Sequence, residues 1–169
     1  MTLPTAHTIA HAHHGDDRVT LTYDERFLRR KVLTAASGLR FLVDLEHTLS
    51  VGGHDAFVLD DGRRVLVVPA EEPLLAVSGD DLVRLAWHIG NRHTPAQIEP
   101  DRILIQRDHV MADMLGKLGA TISEVVEPFT PEGGAYGHGR THGHDHSHQH
   151  GPETHSHDHS HGHDHDHSH

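Results

Sequence analysis

The 169-residue chain contains no cysteine. That removes disulfides, thiolate metal sites and cysteine nucleophiles together, so any bound metal must be held by histidine, carboxylate, backbone carbonyl or water. Aromatic residues are scarce, with four Phe, two Tyr and one Trp, and no stretch approaches the ~20 successive apolar residues of a membrane-spanning helix. The opening MTLPTAHTIAHAHHGDD lacks the basic and apolar regions of a secretion signal, and the expected location is the cytoplasm. Positive charge is also in deficit, 14 Lys and Arg against 25 Asp and Glu, for a formal charge of −11. Phosphate backbones need a basic face, so nucleic acid is excluded as a partner. There is no Ser/His/Asp set, phosphate-binding glycine loop or HExxH motif. The acidic pairs Asp16/Asp17, Asp60/Asp61, Glu71/Glu72 and Asp80/Asp81 suit turns, caps and solvated linker, so spacing points to no enzyme.

What the chain has in excess is histidine, 23 residues in all. Fourteen of them fall in the last 32 residues, from His138 onward, where there is no large apolar side chain. Such a segment cannot offset its ordering entropy by burial and is expected to be a disordered tail over 138–169. Its histidines alternate with Asp, Ser and Gly instead of running consecutively, which is unlike an expression tag. The ligands are His142, His144, His146, His148, His150, His155, His157, His159, His161, His163, His165, His167 and His169. Neutral imidazole suits nickel, zinc, cobalt and copper, and interleaved aspartates supply offsetting charge. Many weak, overlapping sites follow. A catalytic metal needs a fixed geometry and an orienting surround that low-complexity sequence does not offer, so the tail points to capture, not turnover.

The remaining 137 residues carry all the large apolar side chains and a charge of −7, from 13 basic and 20 acidic groups. Residues 1–72 read as an all-β domain: RVTLTY, RKVLT, LRFLVDL, DAFVL and RRVLVV are short alternating runs, with Asp60, Asp61 and Gly62 as a tight hairpin. The segment Pro69 to Pro73 reads as a linker. Residues 73–137 change character. LLAVS is strand-like, then a helix places Leu82, Leu85, Ala86 and Ile89 on one face, with Asp80 or Asp81 at its start and Gly90 at its end. Two short strands surround Pro100. A second helix places Met111, Met114, Leu115 and Leu118 on one face, with Asp108 as N-cap and Gly119 as stop, and ATISEVVEPF closes the domain as a strand. The order β-α-β-β-α-β predicts a ferredoxin-like arrangement, and the whole an α+β chain in which each folded part is small enough for oligomerisation to help.

Within the folded part, His47 and His54 lie beside turns and nothing in their neighbourhood marks them as ligands. His88 lies off the apolar stripe of the first helix, His93 follows that helix in GNRHTP, and His109 opens the second helix opposite its apolar face. Periodicity does not show whether these three meet. The early histidines His7, His11, His13 and His14 are open between a second metal-gathering arm and a disordered polar terminus.

HIGNRH (88–93), RDHVMADMLGKLGA (107–120) and EPFTPEGGAYGHG (127–139) resemble the C-terminal domain of the UreE urease accessory proteins, the nickel metallochaperones of urease maturation. DLEHTLSVGGHDAFVLDDGRRVLVVPAEE (44–72) is similar to that family's N-terminal domain, and a His-rich C-terminal tail is common in the family. The resemblance implies a homodimer through the ferredoxin-like domains, with Ni²⁺ held at the two-fold axis by His93 of each subunit. It also implies a docking role for the β domain, with the urease accessory GTPase and apo-urease maturation complex as partners. His88 belongs to the motif as a less secure ligand. His109 is a peripheral candidate, but Arg107 stands where some members carry a second histidine, and an arginine cannot bind a cation.

The expected function is therefore capture of Ni²⁺ and its delivery for assembly of the urease metallocentre. Zn²⁺, Cu²⁺ or Co²⁺ would bind the same ligands, and by the Irving–Williams order Cu²⁺ would bind more tightly. Treated as a coil, the tail would span roughly 30 Å, enough to hand metal to the body. The alternative is a metal storage or detoxification protein that buffers Ni²⁺ or Zn²⁺, in which the tail is the function and the body a scaffold.

Overall fold

A computed structural model describes residues 2–133; the expected His-rich tail lies outside the described residues. Two sheets and two helices make up the described chain. The first sheet has six strands, β1 (Thr5–His11), β2 (Asp17–Leu21), β3 (Phe27–Thr34), β4 (Arg40–Ser50), β5 (Asp55–Leu59) and β6 (Arg64–Pro69), in the order β2-β6-β5-β1-β4-β3. Alternation puts Phe41, Val43, Leu45, Phe57, Leu59, Val65 and Val67 inside, with the Phe41 and Phe57 ring centres 5.8 Å apart. The expected hairpin is present: Leu59 N–H donates to Arg63 O at 2.9 Å across Asp60, Asp61 and Gly62.

Of the early histidines, His7 and His11 prove to belong to a strand, and His13 and His14 follow directly after it. β1 lies in the middle of the sheet, parallel to β4 and antiparallel to β5. Its inward contributions are only Ala6, fully buried, and Ile9, partly buried, too small a signal to stand out among Thr and His. Its place is secured by ladders on both edges.

The second unit follows β7 (Glu71–Ser78), α1 (Leu82–Asn91), β8 (Ala96–Ile98), β9 (Ile103–Gln106), α2 (His109–Lys117) and β10 (Thr121–Pro128), with strand order β10-β7-β9-β8 and every neighbouring pair antiparallel. This is the ferredoxin-like order expected. Leu75, Val77, Ile103 and Ile105 face the helices and pack on Leu85, Ile89, Met111 and Leu115. Their alternates Leu74, Ala76 and Leu104 face the other way, onto Phe129 and onto Tyr23 of the first unit. Both faces of β7 are thus covered, which explains an unbroken apolar run.

The Pro69–Pro73 segment is not a linker. Only Ala70 separates β6 from β7, and Glu71, Glu72 and Pro73 pair with Pro128, Glu127 and Val126. Pro73 is tolerated because β9 reaches only to Leu74 on its other side. The two units are joined by more than the chain: buried Glu72 accepts from Tyr23 N–H at 2.8 Å. Buried Arg26 donates to Leu21 O at 2.9 Å and to Phe129 O. Among the described residues no helix is long and apolar enough to cross a membrane.

Candidate metal centre

The centre is best built from the ends of the two helices. α1 starts where the Asp81 carboxylate accepts from Arg84 N–H at 3.1 Å, and its buried face is Leu85 and Ile89. Gly90 does not stop it. The helix runs to Asn91 with Arg92 as C-cap, and the chain turns at His93, whose φ is +56°. His93 N–H donates to Gly90 O at 3.0 Å and Thr94 N–H to Ile89 O at 3.4 Å, the paired bonds of a Schellman ending. Glycine usually fills this left-handed position. An L-residue there costs about 1 kcal/mol, although His is among the residues that tolerate it. Among the described residues His93 is the one non-glycine with positive φ. This backbone places the exposed residue His93 directly after the last turn of α1, where the negative end of the helix dipole favours a cation. The neighbouring positive charge is turned aside: Arg92 Nε donates to Met114 Sδ of α2 at 2.8 Å.

His109 is placed in the opposite electrostatic setting. It is the first residue of α2, at the positive end of that helix, which disfavours a cation. The nearby carboxylates are already engaged: Asp108 accepts from Val110 and Met111 N–H at 2.9 and 3.2 Å, and Asp113 pairs with Lys117 at 2.8 Å. Arg107 has a structural task, donating to Leu74 O and Val125 O, both at 3.2 Å, across the β7–β10 pair. His88 is half-buried, with the Trp87 ring edge-on at 5.0 Å. Among the described residues no three His, Asp or Glu side chains stand ready to hold an ion. Within one chain, then, His88, His93 and His109 do not form a ready ligand set.

Sequence reasoning passed over His54. At the turn before β5, its ring centre lies 5.8 Å from that of His11 and 5.6 Å from that of His13. The signal was long-range strand pairing, which spacing along the chain does not carry.

Comparison with known proteins decides the family. The model of the UreE urease accessory protein C-terminal domain matches residues 63–169, and that of the N-terminal domain matches residues 2–70. This chain belongs to the UreE family of urease accessory proteins. It is 63% identical over 145 residues to the urease accessory protein UreE of Ruegeria pomeroyi, covering 84% of this chain and 97% of that protein. It is 58% identical over 125 residues to the UreE of Rhodobacter capsulatus, covering 74% and 80%, and 58% identical over 126 residues to that of Paracoccus denitrificans, covering 75% and 80%. Membership in the UreE family places the chain in urease maturation as an accessory protein.

Proposed function

We propose that this UreE-family chain is a nickel metallochaperone that binds Ni²⁺ between two copies of His93 in a homodimer and passes it to the urease maturation complex. The observation that carries the reading is His93 itself, an exposed histidine on a left-handed backbone at the negative end of α1. One such histidine is too little for a metal site, but a two-fold axis doubles it. The same helix offers a surface for that axis. Val83 and Trp87, one turn apart on α1, are 84% and 63% exposed, and Val110 at the start of α2 is 58% exposed. Apolar groups left in water on one small domain are suited to cover one another in a second copy.

In this reading Ni²⁺ is cargo. Two imidazoles with water in the other positions hold it firmly enough to collect and loosely enough to release. The His-rich segment from His138 onward offers many further ligands and raises the amount of metal near the dimer. The urease accessory GTPase and apo-urease receive the ion, and the β domain docks them. Selectivity for nickel over copper rests on the partner and on availability, not on imidazole chemistry.

One experiment tests the reading and separates it from metal storage. Truncation after Gly137 should remove most bound nickel and leave one ion per dimer at the His93 pair, and with ample nickel the truncated protein should still activate urease. His93→Ala in that background should abolish that ion and the activation. Activation that survives His93→Ala rules out His93 as the transfer ligand, and a truncated protein that cannot activate urease at any nickel concentration points to storage.

A further inference from the structure

We propose that His11, His13 and His54 of the β domain form a second metal site, one that takes a divalent late transition ion through three imidazoles. β1 ends at His11, which stands opposite Asp55 in the ladder, and one more bond, Ala12 N–H to His54 O at 2.9 Å, extends the pairing past the strand. Ala12 is buried, so its neighbours His11 and His13 both point outward by strand alternation. The turn before β5 brings His54 beside them.

The spacing is slightly wider than that of a three-histidine centre. The ring centres are 5.2 Å (His11 to His13), 5.8 Å (His11 to His54) and 5.6 Å (His13 to His54) apart, with interplanar angles of 84°, 51° and 63°. An imidazole nitrogen binds zinc at about 2.0–2.1 Å, which puts the ring centre about 3.2 Å from the ion and the centres of three tetrahedral ligands about 5 Å apart. The donor nitrogens do not already converge, since among the described residues no three such side chains stand ready around one point. All three residues are exposed, so the rings are free to turn about their side-chain bonds while the backbone stays in its ladder. A fourth position is open to water or to a ligand brought in from outside.

The position of the cluster adds a route for its metal. His11 and His54 line a cavity of about 310 Å³ together with Pro95 and Thr130 to Gly133. Glu132 N–H is bonded to Ala96 O at 2.8 Å. The chain therefore passes these imidazoles five residues before the first histidine of the His-rich segment, His138. Pro95, two residues after His93, lines the same cavity.

The test uses the full chain and a readout that resolves single histidines: diethylpyrocarbonate modification located by mass spectrometry during titration with Zn²⁺ alone. The expected result is that His11, His13 and His54 become protected together while exposed His47 keeps its reactivity. His54→Ala should then raise the Zn²⁺ needed to protect His11 and His13 by more than about ten-fold, and His11→Ala should do the same to His13 and His54. Unchanged reactivity of His47 and an unchanged circular dichroism spectrum show that each variant is folded. The site is refuted if His11 and His13 stay reactive at Zn²⁺ levels that protect the His-rich segment, or if their protection survives His54→Ala. His93 is read separately in the same spectra, so failure here and failure of the dimer site are distinguishable.

Discussion

The two helices of the ferredoxin-like domain end in the same way with different residues. After α2, Gly119 takes the left-handed position at φ +89°, its N–H bonded to Gly116 O at 3.0 Å and that of Ala120 to Leu115 O at 3.0 Å. After α1 the same two bonds form, but the residue is His93 at φ +56°. The residue that makes this ending without strain is present 26 residues further on, so its absence after α1 is not a limit of the fold. Where nothing but chain reversal is needed, the sequence uses glycine; where an imidazole sits, a backbone penalty is accepted. That difference supports a chemical task for His93 more strongly than exposure does, because exposure alone is common among histidines.

The most severe way to break the comparison is to make the two ends alike. His93→Gly keeps the Schellman bonds and removes only the imidazole. In the chain truncated after Gly137 it should weaken Ni²⁺ binding at the site holding one ion per dimer by more than about 100-fold, near 3 kcal/mol, as read by calorimetry. Undiminished binding would mean that His93 is in the left-handed position for no metal-related reason. The converse change comes next in size. A Cβ built on Gly119 meets nothing within 4 Å, so the cost of Gly119→Val lies mainly in the backbone conformation, about 1–2 kcal/mol in urea unfolding. A loss near zero would show that the left-handed ending is cheap in this domain, and the argument from strain at His93 would fall with it.

The same contrast shows what could be read from the chain in advance. Both helices were legible because their apolar faces and aspartate caps are local signals, and Gly119 announced its own stop. The end of α1 was not. Gly90 looked like the stop, because a histidine in a left-handed position has no signature, and His93 stood out only by resemblance to a family motif. β1 was missed because its pairing partners, Val43 and Phe57, are far along the chain and its own buried residues are Ala6 and Ile9. His54 was dismissed for the same reason: its meeting with His11 depends on the β1–β5 register. Pro73 argued for a linker, and only the absence of β9 beside it reveals how a strand accommodates it.

A smaller effect sharpens the comparison from the side of stability. If His93 carries a backbone penalty, His93→Gly should make the metal-free protein more stable by up to about 1 kcal/mol, the reverse of what most substitutions do. Greater glycine freedom in the unfolded chain offsets part of that gain. The check is urea unfolding with chelator present, in the same background as Gly119→Val. Destabilisation by His93→Gly would mean that the imidazole makes contacts worth more than the strain, and its placement would then have a structural cause.

The smallest expected effect separates metal release from unfolding. Metal competes with protons for imidazole ligands, in general over about pH 5 to 8, so bound Ni²⁺ should be lost on acidification. In the same domain, Arg102 binds Glu127 through two bonds of 2.7 and 2.8 Å and holds its carboxyl below the usual value of 4.5. A carboxylate shifted down contributes stability that is complete above its unfolded value and is lost only as pH falls through the lowered one. Between pH 7 and 5 this pair is therefore intact, and β10 stays fixed to the loop before β9. Unfolding midpoints of wild type and Glu127→Gln should differ by the same amount at pH 7 and pH 5, then converge below about pH 4. If they converge above pH 5, acid loosens the domain in the range where nickel is lost, and that loss can no longer be assigned to proton competition for the imidazole ligands.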